Sequence, residues 1–271
     1  MRNNFDGKVI IITGSSMGIG KALAFYLGKH KGKLVINGRD SAKLLSTEME
    51  LKNLGHDVIS FNGDITNEVD CKNLIEISLQ HYGRIDVLIN NAGVSMRGTL
   101  EQLSPDVISK IFKVNTIGPV MLTQMALPHI RQSKGSIVFI SSLAGLQGLP
   151  AINIYSAAKM ALTAIAEALW IETKLDPIHI GIVYVGITEI EPGKTAIGAD
   201  GSLIPLNERK DFSTHTTGEV AKKIAEHITY RKKKTYIGTI AKLYAFLARY
   251  FPGVLGFLVS KSYRKMDKRF Q

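Results

Sequence analysis

The sequence predicts one doubly wound α/β domain with a central parallel sheet of about seven strands and helices on both faces. Two observations indicate it. Short uncharged runs rich in Val and Ile alternate with longer helix-like segments, and a glycine-rich turn separates the first run from the first helix. Uncharged strands are typical of a parallel sheet buried on both faces. We expect a Rossmann-type domain over residues 1–238 and a helical extension over 239–271.

The first half of the chain contains four of these strand–helix units. The strands are predicted by β-branched runs at 8–13, 34–37, 58–62 and 87–90. The helices are predicted at 18–30, 41–54, 68–82 and from 104 towards 129. Ser41 is the expected N-cap of the second helix, and Pro105 suits the first turn of the fourth.

The second half continues the alternation and then becomes irregular. Strands are predicted at 136–141, 179–184 and 235–238, and helices from Tyr155 to about Leu175 and from Thr217, the expected N-cap. Residues 187–216 are rich in Gly and Pro and have mixed polarity. A long irregular segment in a compact domain is usually functional, so we interpret 187–216 as a substrate loop.

The charge is unevenly distributed along the chain. Residues 231–271 hold eleven Lys/Arg and one acid, whereas residues 1–230 hold 23 Lys/Arg and 22 acids. The body is therefore nearly neutral and carries no basic patch or recognition motif, so we do not expect a nucleic-acid partner.

The single cysteine, Cys71, excludes an internal disulfide and suits a reducing compartment. The seven histidines are scattered without metal-ligand spacing, so no metal is expected. The first residues show no apolar signal segment. We expect a cytoplasmic protein, with peripheral contact to a membrane surface left open.

The glycine-rich turn is the first candidate site. Glycines there permit positive φ and let backbone N–H groups approach a pyrophosphate beside the positive end of a helix. The spacing is Gly-x-x-x-Gly-x-Gly, and the alternative is a simple tight turn. The residues expected to contact a dinucleotide are Gly14, Ser15, Ser16, Gly18, Ile19 and Gly20.

The end of the second strand bears on the choice of cofactor. Gly38 offers no side chain to a ribose, whereas Arg39 can bind a 2′-phosphate. This favours NADP(H). Asp40 keeps NAD(H) open, because a carboxylate at this edge can accept from ribose hydroxyls.

Two further strand ends carry candidate cofactor contacts. Asp64, followed by Ile65, can accept a hydrogen bond from an adenine amino group or cap the next helix. After the fourth strand come two asparagines, which can join neighbouring strand ends or contact the cofactor. The cofactor contacts expected there are Asn91, Ala92 and Gly93.

Tyr155 and Lys159 are four residues apart and therefore share one helix face. A cation beside a phenol favours the phenolate and lowers the phenol pKa from about 10, so Tyr155 is a candidate general acid or base. Ser142 lies thirteen residues before Tyr155. The same spacing also occurs in ordinary amphipathic helices that carry a solvated lysine.

These motifs occur together and in one order: the turn at 13–20, Asn90-Asn-Ala-Gly93, Asn115, Ser142 and Tyr155-x-x-x-Lys159. Over residues 5–240 the chain resembles the short-chain dehydrogenases/reductases. The resemblance implies a nicotinamide cofactor, no metal, and the catalytic set Asn115, Ser142, Tyr155 and Lys159, with Tyr155 and Lys159 also contacting the cofactor. It also implies that Asn115 holds a water and that subunits assemble as dimers or tetramers.

One element departs from the family pattern. The family usually has Pro-Gly after the sixth strand and a threonine four residues on, whereas this chain has Val185-Gly186 and Ile190. The resemblance implies a nicotinamide contact through the backbone of Ile187, with Thr188 as a substitute hydroxyl.

The extension combines apolar residues at helical spacing with lysines and arginines. It can cover the substrate pocket, form a subunit contact or bind an anionic membrane surface. A looser resemblance to the 11β-hydroxysteroid-dehydrogenase-like branch, carried by 128–131, 198–201 and 250–253, implies a lipophilic ketone or alcohol substrate.

Two alternative functions stay open. A 3-oxoacyl-carrier-protein reductase is possible because basic residues attract acidic carrier proteins. A protein of another class, a sensor or membrane scaffold that binds NADP(H) without turnover, would need the same cofactor loop but no intact Ser142, Tyr155 and Lys159.

Overall fold

A parallel seven-stranded sheet forms the centre of the computed structural model, which describes residues 5–206 and 214–267. The strand order is β3-β2-β1-β4-β5-β6-β9, and every neighbouring pair is parallel. This confirms the doubly wound fold. The strands are β1 (Val9–Thr13), β2 (Lys33–Gly38), β3 (Val58–Asn62), β4 (Val87–Asn90), β5 (Ser136–Ser142), β6 (His179–Val185) and β9 (Lys234–Ile237).

Helices cover both faces of the sheet. One face packs on α1, α2 and α7, which contribute Leu23, Leu51 and Ile224 to a buried cluster. The other packs on α3, α5 and α6 through a second cluster. The helices are α1 (Gly18–Lys29), α2 (Ser41–Asn53), α3 (Glu68–Tyr82), α4 (Pro105–Phe112), α5 (Gly118–Ser133), α6 (Asn153–Glu172), α7 (Thr217–Thr229), α8 (Thr239–Tyr250) and α9 (Pro252–Asp267).

Two expected helix caps are wrong by one residue. The cap of α2 is Asp40, which accepts from the backbone N–H of Lys43 at 3.1 Å, and Ser41 is the first helical residue. The cap of α7 is Thr216 rather than Thr217, and Glu219 completes a capping box with it. In both cases two adjacent residues are good cap formers, and the one whose side chain reaches the free N–H takes the position.

The segment after β6 contains regular structure that its composition does not predict. β7 (Thr195–Ile197) and β8 (Leu203–Pro205) form an antiparallel hairpin. Ile197 pairs with Met96 and accepts a backbone hydrogen bond from Arg97 at 2.8 Å. The hairpin therefore lies on the chain that follows β4. Residues 207–213 of the predicted loop lie outside the described residues.

The basic run 231–234 and the start of α8 lie at opposite ends of the sheet. The run 231–234 leads into β9 at the amino edge, whereas α8 begins after β9, at the carboxyl edge. Because a strand rises about 3.3 Å per residue, β9 separates these groups by roughly 10 Å. The run 231–234 therefore lies apart from the start of the extension 239–271.

One described helix, α6, is long and apolar enough to cross a membrane by length and composition. It packs against β5 and β6 and contributes Leu162 and Ala166 to the second core cluster. These contacts are those of a core helix.

Candidate active site at the carboxyl edge of the sheet

The glycine-rich turn lies between β1 and β4, where the strand order reverses direction. In doubly wound sheets this switch point is where ligands bind. Gly14 has φ +66°, and a Cβ added there would lie 2.8 Å from the Cα of Ala92. A Cβ on Gly20 would lie 2.0 Å from the carbonyl oxygen of Gly14. Glycine at both positions therefore allows β4, the turn and α1 to approach within backbone contact.

Asn91 joins the ends of β1 and β4. Its side-chain amide donates to the carbonyls of Thr13 at 2.9 Å and Gly14 at 3.1 Å. The hydroxyl of Thr13 accepts from the backbone N–H of Asn91 and of Ala92, both at 3.0 Å. Asn91 therefore joins the two strand ends, one of the two roles predicted for it.

The remaining residues of the turn lie against β2 and the core. The backbone N–H of Ser15 donates to Asn37 at 2.8 Å, and its hydroxyl donates to Ile12 at 2.5 Å. Ser16 lies beside Gly38, where an added Cβ would be 3.1 Å from its hydroxyl. Ile19 packs on the first core cluster. Gly38 thus leaves space next to Ser16 at the end of β2.

Arg39 and Asp64 form an ion pair at the ends of β2 and β3, with 3.4 Å between Nη1 and Oδ2. Asp64 also accepts from the backbone N–H of Thr66 at 2.9 Å. Burial opposes its ionisation, but this hydrogen bond and the Arg39 charge outweigh burial and hold the Asp64 pKa below its ordinary value. Asp64 does not cap α3, because Asn67 does. The adjoining Ile65 is buried in the second core cluster.

Lys159 is the buried cation of the site. Its side chain lies in α6 with 4% of the residue exposed, and Nζ donates to the carbonyl oxygen of Ile140 at 2.9 Å. Nζ is 5.9 Å from the ring centre of Tyr155, one helical turn earlier. Burial lowers the Lys159 pKa to about 8. Lys159 therefore holds its proton far less tightly than a solvated lysine.

Asn115 lies in a π-helical turn, Lys113–Ile117, between α4 and α5. Its amide donates to the carbonyls of Val94 and Ile111, both at 2.9 Å, and its Oδ1 accepts from the N–H of Val94 at 3.2 Å. A Cβ on Gly93 would lie 2.8 Å from this Oδ1 and 3.3 Å from Lys159 Nζ. Gly93 therefore lets the asparagine and the lysine approach each other, and π-helical turns are frequent at functional sites.

Ser142 is the last residue of β5 and opens a short 3₁₀ turn, where its hydroxyl accepts from the N–H of Ala144 at 3.3 Å. This turn packs against α6. The preceding Ser141 donates to the Lys159 carbonyl at 3.3 Å. Half-buried Tyr155 lies in the first turn of α6. The end of β5 and the Tyr155–Lys159 face of α6 are thus adjacent.

Ile187 and Thr188 lie after β6, beside the chain that leads into α7. The Ile187 carbonyl accepts from the N–H of His215 at 3.0 Å, and the Thr188 hydroxyl donates to Gly186 at 3.4 Å. Glu191, three residues after Thr188, contacts the glycine-rich turn, because its carboxylate accepts from the N–H of Gly18. The sequence motifs do not predict a contact for Glu191. Its position directly after Ile190, the family's usual threonine place, was the available signal.

The comparisons with known proteins agree with this geometry. A family model described as short chain dehydrogenase matches residues 8–198. The chain belongs to the short-chain dehydrogenase family. Members of the family are oxidoreductases, and this chain is one of them. In the described residues, no group of three or more His, Cys, Asp or Glu side chains could hold a metal ion.

One similar relative of this short-chain dehydrogenase is the 11-beta-hydroxysteroid dehydrogenase-like 4A of Arabidopsis thaliana, 34% identical over 82% of this chain and 72% of the relative. A solved short-chain dehydrogenase from Burkholderia phymatum, in complex with NAD, has a TM-score of 0.75 at 24% identity and covers 85% of this chain and 88% of its own. An alcohol dehydrogenase from Thermococcus sibiricus, complexed with 5-hydroxy-NADP, has a TM-score of 0.73 at 22% identity, with 84% and 93% covered. At these identities the two structures show a shared fold.

The buried ammonium of Lys159 predicts a change of stability with pH. The folded pKa, about 8, lies below the ordinary 10.5, so between these values the unfolded chain binds more protons and the fold gains stability as pH rises. The gain is roughly 3 kcal/mol. Replacing Lys159 with Met removes the buried charge and is expected to stabilise the fold at pH 7 by roughly 1–3 kcal/mol.

Urea unfolding of wild type and Lys159→Met between pH 7 and 10.5 measures this change of stability with pH. The difference in free energy of unfolding between Lys159→Met and wild type should narrow from about pH 8 upwards, because wild type gains stability. Lys242→Met, which removes an exposed lysine, is the matched control. Its free energy of unfolding should change with pH as that of wild type does. A constant difference for Lys159→Met would contradict the assignment.

Proposed function

We propose that this short-chain dehydrogenase is an NADP(H)-dependent oxidoreductase that interconverts a lipophilic ketone and a secondary alcohol. The observation that carries the proposal is the buried Lys159 ammonium next to Tyr155, at the switch point of the sheet. Within residues 5–206 and 214–267 no carboxylate pairs with Lys159, and an unpaired cation at this depth destabilises the fold, which indicates a chemical use.

The glycine-rich turn suits a dinucleotide. Side chains at Gly14, Gly20 or Gly93 would meet neighbouring atoms within 2.8 Å, so these positions keep the backbone open along the edge. The N–H groups at the start of α1 can bind a pyrophosphate. When bound, a nicotinamide supplies or accepts the hydride, and every other role falls to side chains of this chain.

Tyr155 is the proposed proton donor to the carbonyl oxygen during reduction. Lys159 favours the phenolate form through its charge and can bind ribose hydroxyls. Ser142 donates a hydrogen bond to the same carbonyl oxygen as negative charge develops there. Asn115 fixes the chain after β4 through Val94 and can hold a water that links Lys159 to solvent. In the oxidation direction the same groups act in reverse.

The preference for NADP(H) rests on the charges near the end of β2. Arg39, Lys110 and Lys113 line a cleft of about 250 Å³, together with Asp64 and Asp106. The excess of cations suits a 2′-phosphate, and Arg39 can bind it through two N–H groups. NAD(H) is the alternative, and solved members of the fold are known with NAD and with an NADP analogue.

A lipophilic substrate is favoured by the relatives and by the surroundings of the site. The similar Arabidopsis protein is named hydroxysteroid dehydrogenase-like. The hairpin β7–β8 and helix α8 border the carboxyl edge, where α8 packs on Gly186 through Ala241. We propose that 187–216 and the extension 239–271 shape the substrate pocket of the domain 1–238.

Two alternative functions are a 3-oxoacyl-carrier-protein reductase and a sensor or scaffold without turnover.

Exposed apolar side chains on α8 and α9 suggest a contact beyond the catalytic domain. Among them are Phe246 and Phe257, 51% and 66% exposed, and Lys242, Arg249 and Lys261 lie on the same two helices. Aromatic and basic residues together are typical of helices that lie on anionic membranes. We propose peripheral membrane binding of a cytoplasmic enzyme.

Subunit contacts through α5 and α6, implied by the family, are proposed for a dimer or tetramer.

Replacing Tyr155 with Phe tests the mechanism. Loss of the hydroxyl should lower the turnover number about 100- to 10,000-fold, because no proton donor remains, while cofactor binding survives. NADPH absorbance is followed with a panel of steroid, retinoid and 3-oxoacyl substrates, and Tyr230→Phe, an exposed tyrosine, is the control. Retained activity in Tyr155→Phe would disprove the mechanism, and no wild-type turnover across the panel would favour the sensor.

Arg39→Leu tests the cofactor preference. Loss of the guanidinium should weaken NADPH binding about tenfold to a hundredfold and leave NADH binding nearly unchanged. The control, Lys43→Leu, removes a neighbouring cation that pairs with Asp40. It should change neither NADPH binding nor NADH binding. Fluorescence titration with both cofactors measures this. Equal losses for NADPH and NADH would reject a role in 2′-phosphate recognition.

Vesicle sedimentation tests the membrane contact. The double variant Phe246→Ser/Phe257→Ser should pellet several-fold less with vesicles containing phosphatidylserine than wild type does, because less apolar area enters the interface. Leu45→Ser is the matched control, since Leu45 is an apolar residue 55% exposed on α2. Undiminished pelleting of the double variant would rule out this surface.

A further inference from the structure

Helix α1 begins without a cap of its own. Its N-cap residue, Met17, makes no side-chain cap hydrogen bond, and its first turn contains no acidic residue. Three other helices that border the sheet have a side-chain cap, from Asp40 in α2, Asn67 in α3 and Thr216 in α7, whereas α5 and α6, like α1, have none. The free N–H groups of α1 are therefore left for a group from elsewhere.

That group is the carboxylate of Glu191. It accepts a hydrogen bond from the N–H of Gly18, the first residue of α1, although 173 residues separate the two in sequence. Gly18 has φ +59°, which turns the backbone into the helix at this point. A carboxylate at a helix N-terminus is stabilised by the helix dipole, which carries about half a positive charge there. Glu191 thus makes the interaction that an anionic ligand would make.

We propose that Glu191 is an internal competitor for the pyrophosphate of the cofactor. The inference rests on the proposed dinucleotide site, because the N–H groups at the start of α1 are the ones that would bind the pyrophosphate. Two anions cannot share the position, since their like charges repel and one N–H is already engaged. Cofactor binding therefore requires Glu191 to leave.

The surroundings allow this displacement. A cleft of about 610 Å³ lies between α1 and the segment that carries Glu191, and it is lined by Gly18, Lys21, Glu191 and Pro192. Lys21, which now pairs with Glu50 at 2.8 Å, offers a cation within this cleft. The segment also continues into the β7–β8 hairpin on the substrate side. Movement of Glu191 therefore couples occupation of the cofactor site to the position of the substrate loop.

The experiment compares wild type, Glu191→Gln and Glu191→Asp by calorimetric titration with NADPH and NADH. Gln removes the charge with little change of shape, and Asp keeps the charge on a shorter side chain. Both variants should bind the preferred cofactor about five- to twentyfold more tightly than wild type, because the competing carboxylate is neutral or out of reach. Glu189→Gln, whose carboxylate accepts from Thr217 and not from α1, should bind as wild type does.

A second ligand shows whether Glu191 affects binding at the pyrophosphate position alone or weakens the binding of any anion through its charge. Adenosine 2′-monophosphate has no 5′-phosphate, so its affinity should be the same in wild type and in Glu191→Gln. Unchanged or weaker cofactor binding by Glu191→Gln would overturn the inference and leave the dinucleotide site intact. Equal tightening by Glu189→Gln, or equal tightening for adenosine 2′-monophosphate, would also overturn it. Absence of NADPH and NADH binding in every variant would overturn the proposed function together with the inference.

Discussion

The position of one ammonium group, that of Lys159, constrains the whole carboxyl edge of the sheet. The group is buried, and the hydrogen bond described for it goes to the carbonyl of Ile140. Space for the ammonium requires glycine at 93, and glycine at 145 lets the end of β5 approach the backbone of α6, where an added Cβ would lie 3.0 Å from the Lys159 carbonyl oxygen. The π-helical turn brings Asn115 to the same place. Strand ends, helix α6 and this turn are therefore mutually dependent, and together they hold a buried charge that destabilises the fold.

Local patterns predict most of the fold, and they single out the residues that the fold brings together at the candidate site. The β-branched runs mark the strands because a strand buried on both faces excludes charges. The four-residue spacing of Tyr155 and Lys159 determines that they share a face of α6. The contacts of Glu191 with Gly18 and of Ile197 with Met96 could not be predicted, because they join segments distant in sequence and follow no periodicity. Helix caps are uncertain by one residue wherever two cap formers are adjacent.

The net charge of the C-terminal region does not reveal where its charged side chains lie in the fold. As a sum, residues 231–271 carry +10. In the fold, Arg231 donates to the carbonyls of Lys134 and Pro177, and Lys234 pairs with Glu167 at 2.6 Å, all at the amino edge. Helix α8, which carries exposed Phe246 and Tyr250, begins at the opposite edge. The two charge groups can therefore serve different partners.

The pairing of β1 with β4 also has a consequence for protein synthesis. β1 leaves the ribosome before β4, and Asn91, which joins its end to β4, is synthesised 78 residues after Thr13. Until then Gly14 has no Ala92 to pack against, and Glu191 emerges later still. The nascent chain can therefore pair β1 with β2 early, whereas the other edge of β1 has no partner until β4 follows, and the contact of Glu191 with Gly18 forms later than both.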